Sequence, residues 1–201
     1  MPGPVIAEGD RVTLRTVERD DAALLQRSST DPRIRYSLGS IHHRSLAQQE
    51  EGIEHWVERE GSFVTVACVD DEDAPAGQPD EDETTPIGSF SARHVDGDRA
   101  WLAYWLLPEH TGEGYGRDMA TTGIDYLFDH FDLHGISAGA YEFNDASRGL
   151  LEAMGFTQVA RRREGRYIDG DYYDEVQYDV LRREWTAEHG DRDAGGADAE
   201  Y

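Results

Sequence analysis

Lysine is missing altogether: all 19 residues counted as Lys or Arg among the 201 are arginine, set against 42 Asp and Glu for a formal net charge of -23. An acidic excess of that size repels nucleic-acid phosphates and anionic lipid headgroups, so neither is expected as a general partner. Cysteine occurs once, at Cys68, which excludes an internal disulfide and a cysteine-built zinc site. His42 and His43 are adjacent and point apart more readily than they chelate, so no metal is expected. There is no basic-plus-apolar leader and no long apolar run, which leads us to expect a soluble, cytoplasmic protein.

What is present reads as one domain over residues 1–186 followed by a small, acidic, disordered tail over 187–201. Val12-Thr13-Leu14-Arg15 alternates as a strand, and Glu18 to Asp21 opens a helix carrying Ala22, Leu24 and Leu25. Leu46 to Glu60 spaces Leu46, Ile53, Trp56 and Val57 as a second helix. Phe63–Val69 and Pro86–His94 read as strands joined by an exposed, mobile acidic hairpin loop over 70–85. Arg99–Leu107, Ile136–Tyr141, Phe156–Arg163 and Tyr173–Leu181 read as further strands. Arg117–Phe131 is the central helix, and Asn144 or Asp145 caps another that stops at Gly155. This order predicts a mixed α/β domain with helices flanking one sheet.

The stretch from Trp101 to Phe131 carries the chemistry. An apolar strand ends at Pro108 and passes through Thr111-Gly112-Glu113-Gly114-Tyr115-Gly116 into the central helix. Such a turn leaves the first helical N–H groups unpaired and lets a ligand approach closely, which suits a pyrophosphate. A P-loop is excluded, because Arg117-Asp118 stands where Lys-Ser/Thr is required, and the alternating glycines do not fit G-x-G-x-x-G.

The alternation resembles the acyl-CoA turn of the GNAT superfamily of N-acetyltransferases, Q/R-x-x-G-x-G/A, with Thr111 departing from the usual Gln or Arg. Asn144-Asp145-Ala146-Ser147 and Leu151-Glu152-Ala153-Met154-Gly155-Phe156 follow in the superfamily's order. Tyr167 to Asp174 and Leu181-Arg182-Arg183-Glu184-Trp185 look like the RimJ/RimL-type ribosomal-protein N-terminal acetyltransferases. The acidic, lysine-free composition resembles proteins of salt-accumulating haloarchaea, where a Debye length of about 3 Å at molar salt screens surface repulsion.

The resemblance implies a mostly antiparallel sheet with one splayed parallel pair of strands, and acetyl-CoA as cosubstrate with no metal. It implies that Thr111, Gly112, Glu113, Gly114, Tyr115, Gly116 and Arg117 bind the pyrophosphate. Main-chain groups of Leu106 and Leu107 would hold the pantetheine arm and polarise the thioester carbonyl. Asn144 would contact pantetheine or acceptor, and Ser147 would protonate the departing thiolate. The glutamate that many relatives carry before the turn is absent from Trp101-Leu102-Ala103-Tyr104-Trp105. Glu142 is then the best-placed base on topology, with His94 and Glu109 behind it. Tyr104 and Tyr141 are read as core or as acceptor-cleft lining. The acceptor implied is a protein N-terminal amine, a ribosomal protein in the sharpest version, and the negative chain charge favours a cationic one. The alternatives are a small-molecule amine (a polyamine, an aminoglycoside or an amino acid) and a non-catalytic acyl-CoA sensor. Homodimers are common for such folds, though no residue here specifies one.

Overall fold

A computed structural model describes residues 1–40, 42–57 and 59–190. The strands are β1 Val5–Glu8, β2 Thr13–Thr16, β3 Ser62–Asp70, β4 Thr84–Arg93, β5 Arg99–Leu106, β6 Gly135–Tyr141, β7 Thr157–Ile168 and β8 Asp171–Leu181. The helices are α1 Ala22–Thr30, α2 Pro32–Arg35, α3 Leu46–Trp56, α4 Tyr115–His130, α5 Asp145–Ala153 and α6 Arg182–His189. Together they form one eight-stranded sheet in the order β1-β2-β3-β4-β5-β6-β8-β7. All of its pairings are antiparallel except β5 with β6.

Each face of the sheet is covered by a different part of the chain. Phe90, Leu102, Ile136, Ala138, Val176 and Tyr178 pack with Met119, Ile124 and Leu127 of α4 in the main core. Val66 and Cys68 look the other way, onto Ala22 and Leu25 of α1 and Ile53 of α3. Ser45 starts α3 through a reciprocal capping box with Gln48, satisfying two helix-end donors at once. The helix ends at Trp56, four residues short of the expected Glu60, and Glu58 lies outside the described residues.

Three side chains tie α4 in place. The Asp118 carboxylate accepts the backbone N–H groups of Asp10, Arg11 and Val12 at 3.1, 2.7 and 2.8 Å, binding the first turn of α4 to the β1–β2 connection. At the other end, the Arg182 guanidinium donates to the carbonyls of Leu133, Phe131 and Phe128, and a cation there complements the helix dipole. Trp185 packs between Phe128 and Phe156 and donates to Asp125 at 2.6 Å. The Leu181–Trp185 segment is therefore the clasp of the central helix.

Two expectations are corrected here. The acidic loop is pinned: Arg15, with no exposed surface, donates to the Asp70 carboxylate and to the carbonyls of Pro75 and Gly77. Gln78 and Val5 close the loop further through Pro2 and Ala76. Helix α6 runs on to His189, so residues 187–189 are helical rather than tail, and 191–201 lie outside the described residues.

Candidate active site

The parallel ladder of β5 and β6 registers only from Arg99↔Gly135 to Leu102↔Ala138. Beyond it β5 continues to Leu106 and β6 to Tyr141 without pairing, so the two strands splay. The gap opens a cleft of about 880 Å³, and because it pierces the sheet it joins the α4 face to the opposite one. Ligand sites of this size fall in the usual range for small molecules.

On the α4 side lies the glycine turn. Gly112 and Gly114 take φ of 85° and 92°, a left-handed region that glycine enters without the Cβ penalty. The backbone N–H groups from Gly112 to Gly116 donate to no acceptor among the described residues. Next in line, those of Arg117 and Asp118 turn back onto the Gly114 carbonyl at 3.1 and 3.2 Å. Five consecutive donors at the positive end of a 16-residue helix form an anion cradle. Thr111, Gly112, Gly114, Gly116 and Arg117 line the cleft, and the Arg117 side chain makes no ion pair among the described residues. Glu113 and Tyr115 do not line it. Tyr115 instead stacks under the Arg11 guanidinium, 4.1 Å from its ring centre, while Arg11 donates to the Glu113 carbonyl at 2.6 Å.

The two leucines part company. The Leu107 N–H donates to the Ile87 carbonyl at 2.7 Å, so it is already used in the β4–β5 pairing and cannot serve a thioester. Alternation along an antiparallel strand then turns the N–H of Leu106 toward β6, into the splay. Leu106 lines the cleft and Leu107 is buried outside it.

Across the gap, Asn144 caps α5, its Oδ1 accepting the Ser147 N–H at 3.1 Å. The Ser147 hydroxyl lies 3.3 Å from that of Tyr104. Burial pushes the Tyr104 phenol above its ordinary pKa, offset in part by the Ser147 contact, so the phenol stays protonated and able to donate.

Glu142 is not placed to act as a base. Its carboxylate accepts from Arg161 at 2.7 Å and from the Asp174 N–H at 3.0 Å, bracing the start of β7 against β8, and it does not line the cleft. Glu109 is likewise paired, with Arg27 at 2.7 Å, and His94 lies outside the lining. The carboxylate that sequence reasoning missed is Glu175 on β8, opposite Tyr141 of β6. It is the single acidic residue among those lining the cleft, and its side chain makes no hydrogen bond or ion pair among the described residues. A Cβ at Gly139 would stand 3.1 Å from the Trp101 ring and 3.7 Å from Glu175 Oε1, so this glycine leaves room for both side chains on the face away from α4. No signal near Glu175 in the sequence marks it, because its neighbours in space come from β5 and β6.

Among the described residues there is no cluster of three His, Cys, Asp or Glu that could hold a metal, and no helix is long and apolar enough to cross a membrane.

Comparison with known proteins gives relatives of two kinds. The chain is 31% identical over 103 residues to the putative ribosomal N-acetyltransferase YdaF of Bacillus subtilis, a match covering 50% of this chain and 56% of that one. It is 28% identical over 110 residues to the ribosomal protein uS5-alanine N-acetyltransferase of Escherichia coli, covering 54% and 56%. The chain thus spans just over half the length of these two curated relatives. Among solved structures, the spermidine N-acetyltransferase of Vibrio cholerae in complex with CoA and spermine superposes with a TM-score of 0.75 at 21% identity, covering 87% of this chain and 98% of that one. The model of the acetyltransferase (GNAT) domain matches residues 11–157. With that match, the splayed parallel pair and the amide cradle at α4, the chain belongs to the GNAT acetyltransferase family.

Proposed function

We propose that this protein moves an acetyl group from acetyl-CoA directly to a primary amine, and that the amine is a protein N-terminus. The observation carrying the reading is the splay itself, which connects the open amides of Gly112–Gly116 on one face with the carboxylate of Glu175 on the other. The amides and Arg117 hold the pyrophosphate, and the pantetheine arm runs through the gap. The Leu106 N–H donates to the thioester carbonyl, stabilising the oxyanion that develops as nitrogen attacks.

Glu175 takes the proton of the incoming ammonium, directly or through one water, freeing the lone pair for attack. As the C–N bond forms and the C–S bond breaks, the Tyr104 hydroxyl gives its proton to the sulfur; the second proton shed by the new amide nitrogen returns through water to the Tyr104 phenolate, and Glu175 releases its own to solvent. Ser147 holds that hydroxyl in place. The relatives named for ribosomal-protein acetylation support the N-terminal acceptor, with an N-terminus of a ribosomal protein as the specific case. A polyamine or other small amine is the competing acceptor, and an acyl-CoA sensor is the competing class, favoured by Thr111 in the turn and by the missing glutamate of the strand before it.

Free-thiol release from acetyl-CoA tests this reading against N-terminal peptides, polyamines and aminoglycosides. Cys68 adds no background, since burial pushes its thiol pKa up to about 12. Release with peptides, lowered about 10²-fold or more by Glu175→Gln and partly recovered at higher pH as free amine accumulates, supports the proposal. Saturable acetyl-CoA binding with no release from any amine overturns it in favour of the sensor.

A further inference from the structure

The chain carries 42 acidic residues and 19 arginines, yet the cleft inverts that ratio. Arg33, Arg93, Arg117 and Arg166 line it against Glu175 alone. Arg117 belongs to the pyrophosphate end. The other three lie toward the face away from α4, where an acceptor must enter. Arg33 is neutralised there by Asp31, which it holds through Nε at 3.1 Å and Nη2 at 2.7 Å. Arg93 and Arg166 have no carboxylate partner among the described residues.

Their placement follows from the strands. Phe90 and Ala92 of β4 enter the core with α4, so alternation sends Arg93 to the opposite face, beside its register partner Trp101. Arg166, near the end of β7, donates through Nε to the Gly39 carbonyl at 2.8 Å. That bond fixes the guanidinium plane and leaves both terminal nitrogens without an acceptor among the described residues.

We infer that Arg93 and Arg166 select an acceptor whose reactive amine is followed by carboxylates, namely an acidic N-terminal peptide. This rests on the acetyl-transfer reading above and replaces the expectation of a cationic acceptor, which the net charge of the whole chain suggested. An acidic peptide puts its amine at Glu175 and its side-chain carboxylates at the two guanidiniums, forming charge-assisted hydrogen bonds. A polyamine or a basic peptide would bring ammonium groups against arginines that no carboxylate neutralises, a like-charge contact that disfavours it.

The test compares peptides that share one N-terminal residue and carry Asp-Glu, Gly-Gly or Arg-Arg next, with spermidine as a fourth acceptor. It measures kcat/KM for thiol release and, in parallel, peptide binding to the CoA-loaded protein by calorimetry. We expect the acidic peptide to exceed the basic one by about tenfold or more at low salt, with the gap shrinking as salt rises. Arg93→Gln, which removes no ion pair among the described residues, is expected to cut that preference several-fold with an unchanged melting temperature, and Arg93→Lys to restore much of it. Equal rates across the peptides, or faster turnover of spermidine, would overturn the inference while leaving acetyl transfer intact. If no acceptor turns over, the acetyl-transfer reading fails, and the binding preference alone decides whether the arginines recognise acidic peptides.

Discussion

The hydroxyls of Tyr104 and Ser147 lie 3.3 Å apart across the splay, one on β5 and the other in the first turn of α5. Burial pushes the phenol above its ordinary pKa; in the proposed reaction Tyr104 is the donor to the thiolate and Ser147 its support. Tyr104→Phe is expected to lower kcat by about 10²-fold with little change in CoA binding. Ser147→Ala is expected to cost less, and the double variant about as much as Tyr104→Phe alone, since the two act as a unit. Single-turnover thiol release with a parallel CoA titration checks this, and a Ser147→Ala loss exceeding that of Tyr104→Phe would reverse the assignment.

Gly114 and Gly116 look alike in the sequence but face different constraints. Gly114 has φ of 92° and its nearest outside atom, Arg11 Nη1, is 3.6 Å from a built Cβ, so the obstacle to Gly114→Ala is conformation, at about 1–2 kcal/mol. Gly116 is helical, and its Cβ would meet Leu106 Cδ1 at an ordinary 3.5 Å. Gly116→Ala should therefore fold at least as stably as wild type, by about 0.5–1 kcal/mol on helix propensity. A raised KM for acetyl-CoA in Gly116→Ala, with unchanged or higher melting temperature, would mark the ligand passing over the helix start. An unchanged KM would place the ligand elsewhere.

Arg15 and Asp70 meet at 2.7 Å with Arg15 fully enclosed. Removing the cation by Arg15→Met strands a part-buried carboxylate and the backbone carbonyls of Gly3, Pro75 and Gly77, and we expect about 3–5 kcal/mol of destabilisation in urea melts. The pair also sets a pH dependence. Burial raises the Asp70 pKa, but bonds from Arg15 and Thr84 outweigh it and hold the carboxyl below its usual 3.8. A depressed folded-state pKa adds stability above the unfolded value, and that stability drains away as pH falls through the folded one. Acid unfolding of the wild type should steepen below about pH 3.8, and Asp70→Asn should flatten it.

Strands and helices with a strong period are legible in the sequence alone. Val12 to Arg15 alternates, Ser45 and Gln48 box the start of α3, and Asn144 caps α5, each a local signal. Features that depend on distant partners leave no such mark. Strand β7 reaches Ile168, five residues past the expected Arg163, because its residues are nearly all exposed and show no alternation. The four-residue β1 and α2 are too short for any period. Arg15 reads as the outward residue of a strand until the loop 55 positions away closes over it. Glu142 follows its strand directly and Glu175 does not, yet chain topology brings β8 beside β6 and gives the cleft to Glu175.

Asp118 shows how one carboxylate links cofactor turn and core. It gathers three backbone N–H groups from the β1–β2 connection while standing one residue beyond Arg117. With Asp118→Ala, the N–H groups of Asp10 and Arg11 still reach water, but that of Val12, at a buried residue, loses its partner. The expected cost is about 1.5–3 kcal/mol, as for a hydrogen bond to a charged group. Asp118→Asn keeps one acceptor oxygen and should recover about half. Because this contact anchors the amides proposed to meet the pyrophosphate, the alanine variant should also raise the KM for acetyl-CoA while leaving kcat near wild type at saturation. A stability loss with no change in KM, measured by melting and steady-state kinetics on the same preparation, would show that the turn keeps its geometry without this anchor.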